Sequence, residues 1–328
     1  MSFFVCAGEA LVDLVENPQG LMQPCLGGSV FNCAIALARQ GVPTRYANPL
    51  SRDRFGQRFA QQLAQDDVSL LLPEPVLEPT SLAVVSLGAD GQPSYGFYRT
   101  GVADRAWTVD ALAPLLREAR GLHLGGLALV PDDIARYTAL QRSVREAGGL
   151  VAVDANLRPA VVADHAAYTR AVNEALGLAH LVKVSDEDLF HLGRAPHGAS
   201  PGQALAAAQA LLAELPGTQL IALTLGAQGA WLLTRTDTLR AQGLSLGPVA
   251  DTVGAGDCFM AGLLASLWQD GALDSPEHLA RAATQRQVLD AALRRAVAAA
   301  GINVTRTGCQ PPTAAETRAA SAQVQVQD

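Results

Sequence analysis

Short β-rich runs alternating with Ala-, Leu- and Arg-rich segments of helical period dominate this 328-residue chain. That alternation is the pattern of a layered α/β fold around a mostly parallel sheet. Residues 3–7 read as the first strand, and residues 29–40 as a helix with apolar Ile35 and Ala38, capped at Gly41. Residues 121–124, 150–154, 181–184 and 220–224 read as buried strands. Residues 132–147, 165–177 and 203–215 read as the helices between them, and 258–268 and 275–300 as the last two long helices. The length suits one large α/β domain spanning residues 1–328.

Two segments break the alternation. Residues 11–16 and 21–25 flank Asn17-Pro18-Gln19-Gly20, and residues 81–88 and 93–99 flank Ala89-Asp90-Gly91-Gln92. Both read as β-hairpins, the second on a strong Asp-Gly turn signal. Together, segments 11–25 and 81–99 are expected to form a small antiparallel sheet set apart from the body, placed as a lid. The tail 313–328, rich in Ala, Gln, Thr and Ser, is expected to fray.

Composition removes whole classes. With 49% apolar and 17% charged residues the chain can bury a large core. A formal charge of −7 argues against a nucleic-acid coat. No uncharged stretch approaches the roughly 20 apolar residues of a membrane span, and the first residues carry no cationic leader, so a cytoplasmic location is expected. Five widely spaced cysteines, with no C-x-x-C, read as reduced thiols. The chain has a single lysine, Lys183, beside 23 arginines, and no G-x-x-x-x-G precedes it. That excludes a P-loop. The six histidines lack metal-ligand spacing, and His123 reads as a core side chain.

The strongest constellation is Asp251-Thr252-Val253-Gly254-Ala255-Gly256-Asp257, followed by an apolar helix. Small residues at a helix start let backbone N–H groups converge on an anion, and the helix dipole adds positive potential. An aspartate beside such a hole makes sense as a base next to a phosphate in transfer. The bland alternative is that Asp257 caps its own helix. A dinucleotide fingerprint fails because its third glycine would fall on Phe259. Gly27 and Gly28 open the first helix, which carries Asn32, and together with Asp13 this suggests carboxylate and amide gripping vicinal hydroxyls. Thr224-Leu225-Gly226-Ala227-Gln228-Gly229 is either a hairpin turn or a nucleotide-phosphate contact. Asp154-Ala155-Asn156-Leu157-Arg158 ends a strand, where open α/β sheets bind ligands, and Arg158 could clamp a substrate there.

In this order, Gly-Gly-x-x-x-Asn at 27–32, Thr-x-Gly-x-x-Gly at 224–229 and Asp-Thr-x-Gly-Ala-Gly-Asp at 251–257 resemble the ribokinase/PfkB carbohydrate kinases. The resemblance extends to about Pro312 and is strongest to the bacterial and plant fructokinases. Residues 7–13, 97–99 with Ala103-Asp104, 156–158 and 183–188 add to it. It implies a three-layer α/β/α sandwich with a β-lid, a homodimer joined through the lids, Mg²⁺ and ATP, and transfer of the γ-phosphoryl group to a sugar, most similarly D-fructose to fructose 6-phosphate. Other sugars of the family, 2-keto-3-deoxygluconate and ribose, are the alternatives, and a catalytically idle sugar sensor is the alternative of another class.

The resemblance further implies Asp257 as base and Gly254, Ala255 and Gly256 as anion hole. It makes Asp13, Gly27, Gly28 and Asn32 sugar-binding, with Arg99 and Arg158 on the substrate side. Ser185, Thr224, Gly226, Gly229 and Val297 fall at nucleotide positions. The family's Asn-x-x-Glu element lands on Ser185 and Asp188, whose shorter arm points to magnesium held through water. A monovalent cation, K⁺, would involve Asp251, Val253, Asn303, Arg306 and Gly308, with Pro312 where many relatives carry a serine.

Overall fold

The computed structural model describes residues 2–17, 19–87 and 93–327. In chain order, β1 (Phe3–Cys6) is followed by the hairpin β2 (Leu11–Glu16) and β3 (Met22–Gly27), then α1 (Ser29–Arg39) and β4 (Thr44–Tyr46). After α2 (Arg54–Gln65) and β5 (Ser69–Leu70) comes a second hairpin, β6 (Ser81–Leu87) and β7 (Pro93–Tyr98). A short α3 (Val109–Leu112) precedes β8 (Ala119–Gly125), α4 (Ile134–Glu146), β9 (Leu150–Asp154), α5 (His165–Gly177) and β10 (Leu181–Ser185). Then follow α6 (Asp186–His191), α7 (Pro201–Glu214), β11 (Leu220–Thr224), β12 (Ala230–Leu233) and β13 (Thr238–Ala241). The chain ends with α8 (Ala255–Gln269), α9 (Pro276–Ala282), α10 (Arg286–Asn303), α11 (Ala314–Ser321) and β14 (Val326–Gln327).

The main sheet runs β14-β13-β12-β11-β10-β9-β8-β1-β4-β5. It is parallel from β11 through β5 and antiparallel at the β11-β12-β13-β14 end. Its central strands are apolar at nearly every position because helices cover both faces. Alternate side chains divide strictly. Phe4, Cys6, Ala152, Leu181 and Ala222 pack with α1, α8 and α10 on one face, whereas Phe3, Val5, Val153, Val182 and Leu223 pack with α4, α5 and α7 on the other. The expected α/β/α sandwich is therefore present. Strand carboxyl ends and the starts of α1 and α8 collect on one edge.

The second sheet has the order β3-β2-β6-β7. Each hairpin is antiparallel, and β2 and β6 join them in parallel, Leu11 opposite Ser81 through Val15 opposite Val85. The Ala89–Gln92 turn and Pro18, parts of the hairpin reading, lie outside the described residues. One row across this sheet runs Cys25, Asp13, Ala83, Phe97. Ala83 packs with Leu11, Leu127 and Phe97 toward the body, while Leu21, Met22 and Tyr98 are exposed.

Two expectations are corrected. The segment 275–300 is not one helix. Ser275 caps α9 through the His278 N–H, and after Ala282 the Thr284 hydroxyl bonds the Arg281 carbonyl while the Gln285 N–H bonds Ala282. Such local bonding competes with helix continuation, and α10 restarts at Arg286. The tail beyond Thr313 does not fray. Thr313 and Glu316 form a capping box at the start of α11, Thr317 Oγ1 accepts from Gln40 Nε2 at 2.8 Å, and β14 adds to β13. Its polar composition hid the buried Ala320 and Val324.

Candidate active site

Two helix starts meet at one carboxylate. Helix α1 begins after Gly28, whose φ of +109° suits glycine and whose missing side chain lets the chain pass 2.5 Å, Cβ position to oxygen, from the Glu9 carbonyl. With no side chain at that cap, Glu9 supplies the acceptor from outside: its Oε1 accepts the Ser29 N–H at 2.9 Å. Ser29 Oγ and Asn32 Nδ2 then donate to the two oxygens of Asp257 at 2.7 and 2.9 Å. Helix α8 starts at Gly254, which is left-handed at φ +75° and packs against Cys309, and no side chain caps it. Its first amides have no partner within the helix, the Ala255 N–H donating back to the Thr252 carbonyl at 3.2 Å, and a helix start of this kind suits an anion. Asp257 spends its oxygens on α1, so the bland reading of it as a cap of its own helix does not hold.

The electrostatics fit a base. Burial pushes the Asp257 carboxyl up, against hydrogen bonds from Asn32 and Ser29 and the charges of Lys183 and Arg158, which pull it down. Burial likewise raises Asp13, to about 6, with Arg158 opposing. Arg158 thus acts electrostatically on both Asp13, in the second sheet, and Asp257. It is exposed, and its Nη1 holds the Leu157 carbonyl at 2.9 Å. Gly27 leaves room for Asp13, since a Cβ there would fall 2.5 Å from Oδ2. Asn156, at the end of β9, has a positive φ of +36°, an uncommon conformation for a non-glycine residue that clusters at ligand sites. Arg99 turns inward: its Nη2 lies 3.3 Å from the Leu127 carbonyl and 3.7 Å from the buried Asp133.

The expected nucleotide and cation positions lie on β10, α6, β11 and α10 and in the loops after β11, before α8 and after α10. Thr224 ends β11, and Gly226 and Gly229 form the turn that carries the chain back antiparallel into β12, so the hairpin reading of this segment holds. Ser185 caps α6 in a box with Asp188. Asp188 Oδ2 accepts from the Ser185 N–H and hydroxyl, and Oδ1 from the Leu157 N–H, all at 2.8 Å. Val297 is buried in the core shared with α8. Asp251 bonds the N–H groups of Val253 and Gly308, and Asn303 Nδ2 bonds the Val253 carbonyl at 2.7 Å, so four of the five expected cation residues converge. Arg306 is the exception, its guanidinium reaching Glu316 and the Gln310 carbonyl. Among the described residues no cluster of three or more His, Cys, Asp or Glu side chains is disposed to hold a metal.

Sequence reasoning missed Ser29 and Glu9 as parts of this site. Ser29 follows the paired glycines at a helix start, a signal that was available. Glu9 had no such signal, because its role depends on where β1 leads the chain. His123, read as a satisfied core residue, is buried, but its Nδ1 has no hydrogen-bond partner.

Comparison with known proteins gives the same answer from another direction. The pfkB family carbohydrate kinase pattern matches residues 1–316. A fructokinase of Rhizobium leguminosarum bv. trifolii is 32% identical over 276 residues, 82% of this chain and 81% of the relative. The Escherichia coli fructokinase is 30% identical over 290 residues, 88% and 89% of the two chains. Among solved structures, a fructokinase with bound ATP from Xylella fastidiosa superposes with a TM-score of 0.83 at 26% identity, covering 98% of both chains. A fructokinase from Vibrio cholerae O395, in a form with fructose, ADP and calcium ion bound, gives 0.78 at 29% identity, covering 97% of this chain and 98% of the other. With its α/β/α body and accessory sheet, the chain belongs to the pfkB family of carbohydrate kinases.

Proposed function

We propose that this kinase is an ATP-dependent fructokinase that moves the γ-phosphoryl group of ATP to the 6-hydroxyl of D-fructose, yielding fructose 6-phosphate and ADP. The observation that carries the reading is the Asp257 carboxylate, held by Ser29 and Asn32 at the uncapped start of α8. A sugar hydroxyl there loses its proton to Asp257 as its oxygen bonds to phosphorus, and the amides of Gly254, Ala255 and Gly256 steady the migrating group. Ser29 and Asn32 are the donors that give way to, or are shared with, the bound hydroxyl. Asp13, on the body-facing row of the second sheet, and Asn32 take other sugar hydroxyls, with Gly27, Gly28 and Arg158 beside them. Arg99 braces the base of that sheet.

Ser185, Thr224, Gly226, Gly229 and Val297 border the ATP side in this reading. Magnesium would be carried mainly on nucleotide phosphates, with Asp188 acting through water. When bound, magnesium neutralises phosphate charge. Asp251, Val253, Asn303 and Gly308, with the Arg306 main chain, would seat K⁺ in the loop behind the anion hole. Exposed Met22 and Tyr98 in the second sheet, with Leu21 in its β2–β3 turn, support a homodimer through the lid. No described helix is long and apolar enough to cross a membrane, and the free cysteines fit the cytoplasm.

The fructokinase relatives favour fructose over ribose or 2-keto-3-deoxygluconate, and the intact base disfavours an idle sensor. ADP release measured against a panel of these sugars, with the product identified by ³¹P NMR, tests the reading. Fructose should give the highest kcat/KM and fructose 6-phosphate as product. Preference for another sugar, or sugar-dependent binding with no ADP release, would refute it.

A further inference from the structure

The only lysine of the chain lies under the site. Lys183, in the middle of β10, faces the same side of the sheet as α8, and its ammonium donates to both oxygens of Asp154 at 2.9 Å. Both residues are about 95% buried or more. A Cβ built on Gly256 would fall 3.3 Å from Nζ, so the ammonium sits directly beneath the first turn of α8. We infer that Lys183 serves phosphoryl transfer as a fixed counter-charge beneath the base and the anion-binding amides, oriented by Asp154. This inference rests on the proposed activity.

Stability alone does not account for the pair. A buried ion pair is often no more stabilising than well-packed apolar residues of the same volume, and the surrounding positions of β9, β10 and β11 are Val, Leu, Ile and Ala up to Ser185 and Thr224 at the strand ends. Cationic side chains elsewhere in the chain are all arginine. Here a compact ammonium is used, where the fork of an arginine would have to crowd Gly256. Beside Asp257, Glu9 accepts the N–H of Ser29, whose hydroxyl donates to Asp257, and five further charged or titratable groups act on the carboxylate. Lys183 approaches from β10, Arg158 from the loop after β9, Asp154 from β9, His123 from β8 and Cys258 from α8 itself. Burial opposes the Lys183 charge, but Asp154, Asp188 and Asp257 together hold its pKa above the ordinary value, so the ammonium persists. His123 is also held above its ordinary value, against burial, with Cys33 the leading cause. Lys183 is thus the cation that does not depend on exposure, whereas Arg158 is open to solvent. A charge already fixed before substrate arrives needs no reorganisation as negative charge develops on the transferring group.

The test compares wild type, Lys183→Met and the double variant Lys183→Met/Asp154→Asn, which leaves no unpaired buried charge if the single variant folds poorly. Folding is checked by circular dichroism and urea melts, kcat and KM are measured from pH 5.5 to 9, and Asp257 is titrated in the ligand-free protein by ¹³C carboxyl NMR, assigned with Asp257→Asn. The expected result is a fall in kcat of about 10–100-fold at pH 7 with both KM values within about 3-fold, from loss of one preorganised charge. In Lys183→Met the acid limb of kcat and the Asp257 titration should both move up by about one pH unit, and by less in the double variant, which also removes the Asp154 charge. Folded variants with wild-type kcat, or with reduced kcat and no shift of either titration, would show that the pair is structural only and overturn the inference. A wild-type protein that phosphorylates no sugar would defeat the proposed activity instead, and the ¹³C titration would still decide the charge effect by itself.

Discussion

Replacing Glu9 by glutamine should stabilise the protein at neutral pH and leave it unchanged in acid. Glu9 is buried to 3% exposure, its Oε1 accepts the Ser29 N–H, and its Oε2 has no hydrogen-bond partner. Burial pushes its carboxyl from 4.5 up to about 7, against its own backbone, the Arg99 charge and the Ser29 N–H, which lower it. The folded state therefore binds a proton more tightly than the unfolded chain. Stability from this group is complete below about pH 4.5 and is lost as pH rises through about 7. At about 1.4 kcal/mol per tenfold change in proton affinity, the ionised carboxylate costs roughly 3 kcal/mol at pH 8. Glutamine keeps an oxygen for Ser29 and has no charge to bury. Urea melts should give Glu9→Gln and wild type the same midpoint at pH 4, with the variant's advantage growing to about 2–3 kcal/mol at pH 8 and an unchanged m-value. An advantage independent of pH, or a variant less stable at pH 8, would refute the assignment of Glu9 as a strained buried carboxyl.

Three further outcomes follow from other parts of the fold. Asp13→Ala should raise KM for the sugar by about 10–100-fold, the loss of one charge-assisted hydrogen bond of roughly 1.5–3 kcal/mol, with nucleotide affinity measured by calorimetry nearly unchanged. Amides of 11–16 and 81–87 should exchange more slowly when sugar is bound, as hydrogen-exchange mass spectrometry would detect; indifference to sugar would remove these strands from the lid. Ending the chain at residue 313 should cost several kcal/mol in a thermal or urea melt, since burying Val324 alone is worth about 1.5–3 kcal/mol and Gln40 Nε2 loses its bond to Thr317.

Strands β1, β9 and β11 were legible because a strand buried on both faces is a nearly continuous apolar run, a signal that needs no partner, and β10 keeps that run on either side of Lys183. The two hairpins were legible from turn chemistry, but not the parallel β2–β6 pairing that joins them, because pairing between distant strands leaves no mark in either strand. Helix α2 was missing from the alternation. Its apolar stripe, Phe55, Phe59 and Leu63, lies in a segment otherwise of Gln, Arg, Ala and one Gly. Residues 275–300 keep helical period across the α9–α10 break, so periodicity ran through a stop made by Thr284 and Gln285. At the site, Asp257 and Asn32 were each readable from local glycines. That they bond one another across 225 residues was not. The Lys183–Asp154 pair depends on sheet register, Lys183 opposite Asp154, which appears only once β9 and β10 lie side by side.

In the proposed reaction Asp257 takes the proton of the attacking sugar hydroxyl. Asp257→Asn keeps the shape of the side chain and can still meet Ser29 and Asn32 through its amide, but it cannot accept that proton. Single-turnover transfer from ATP to fructose, measured beside calorimetric binding of each ligand, tests this directly. The expected result is a folded protein that binds ATP and fructose within a few-fold of wild type and transfers about 10²–10⁴-fold more slowly, the usual cost of losing a positioned base. Transfer by the asparagine variant at near the wild-type rate would contradict it.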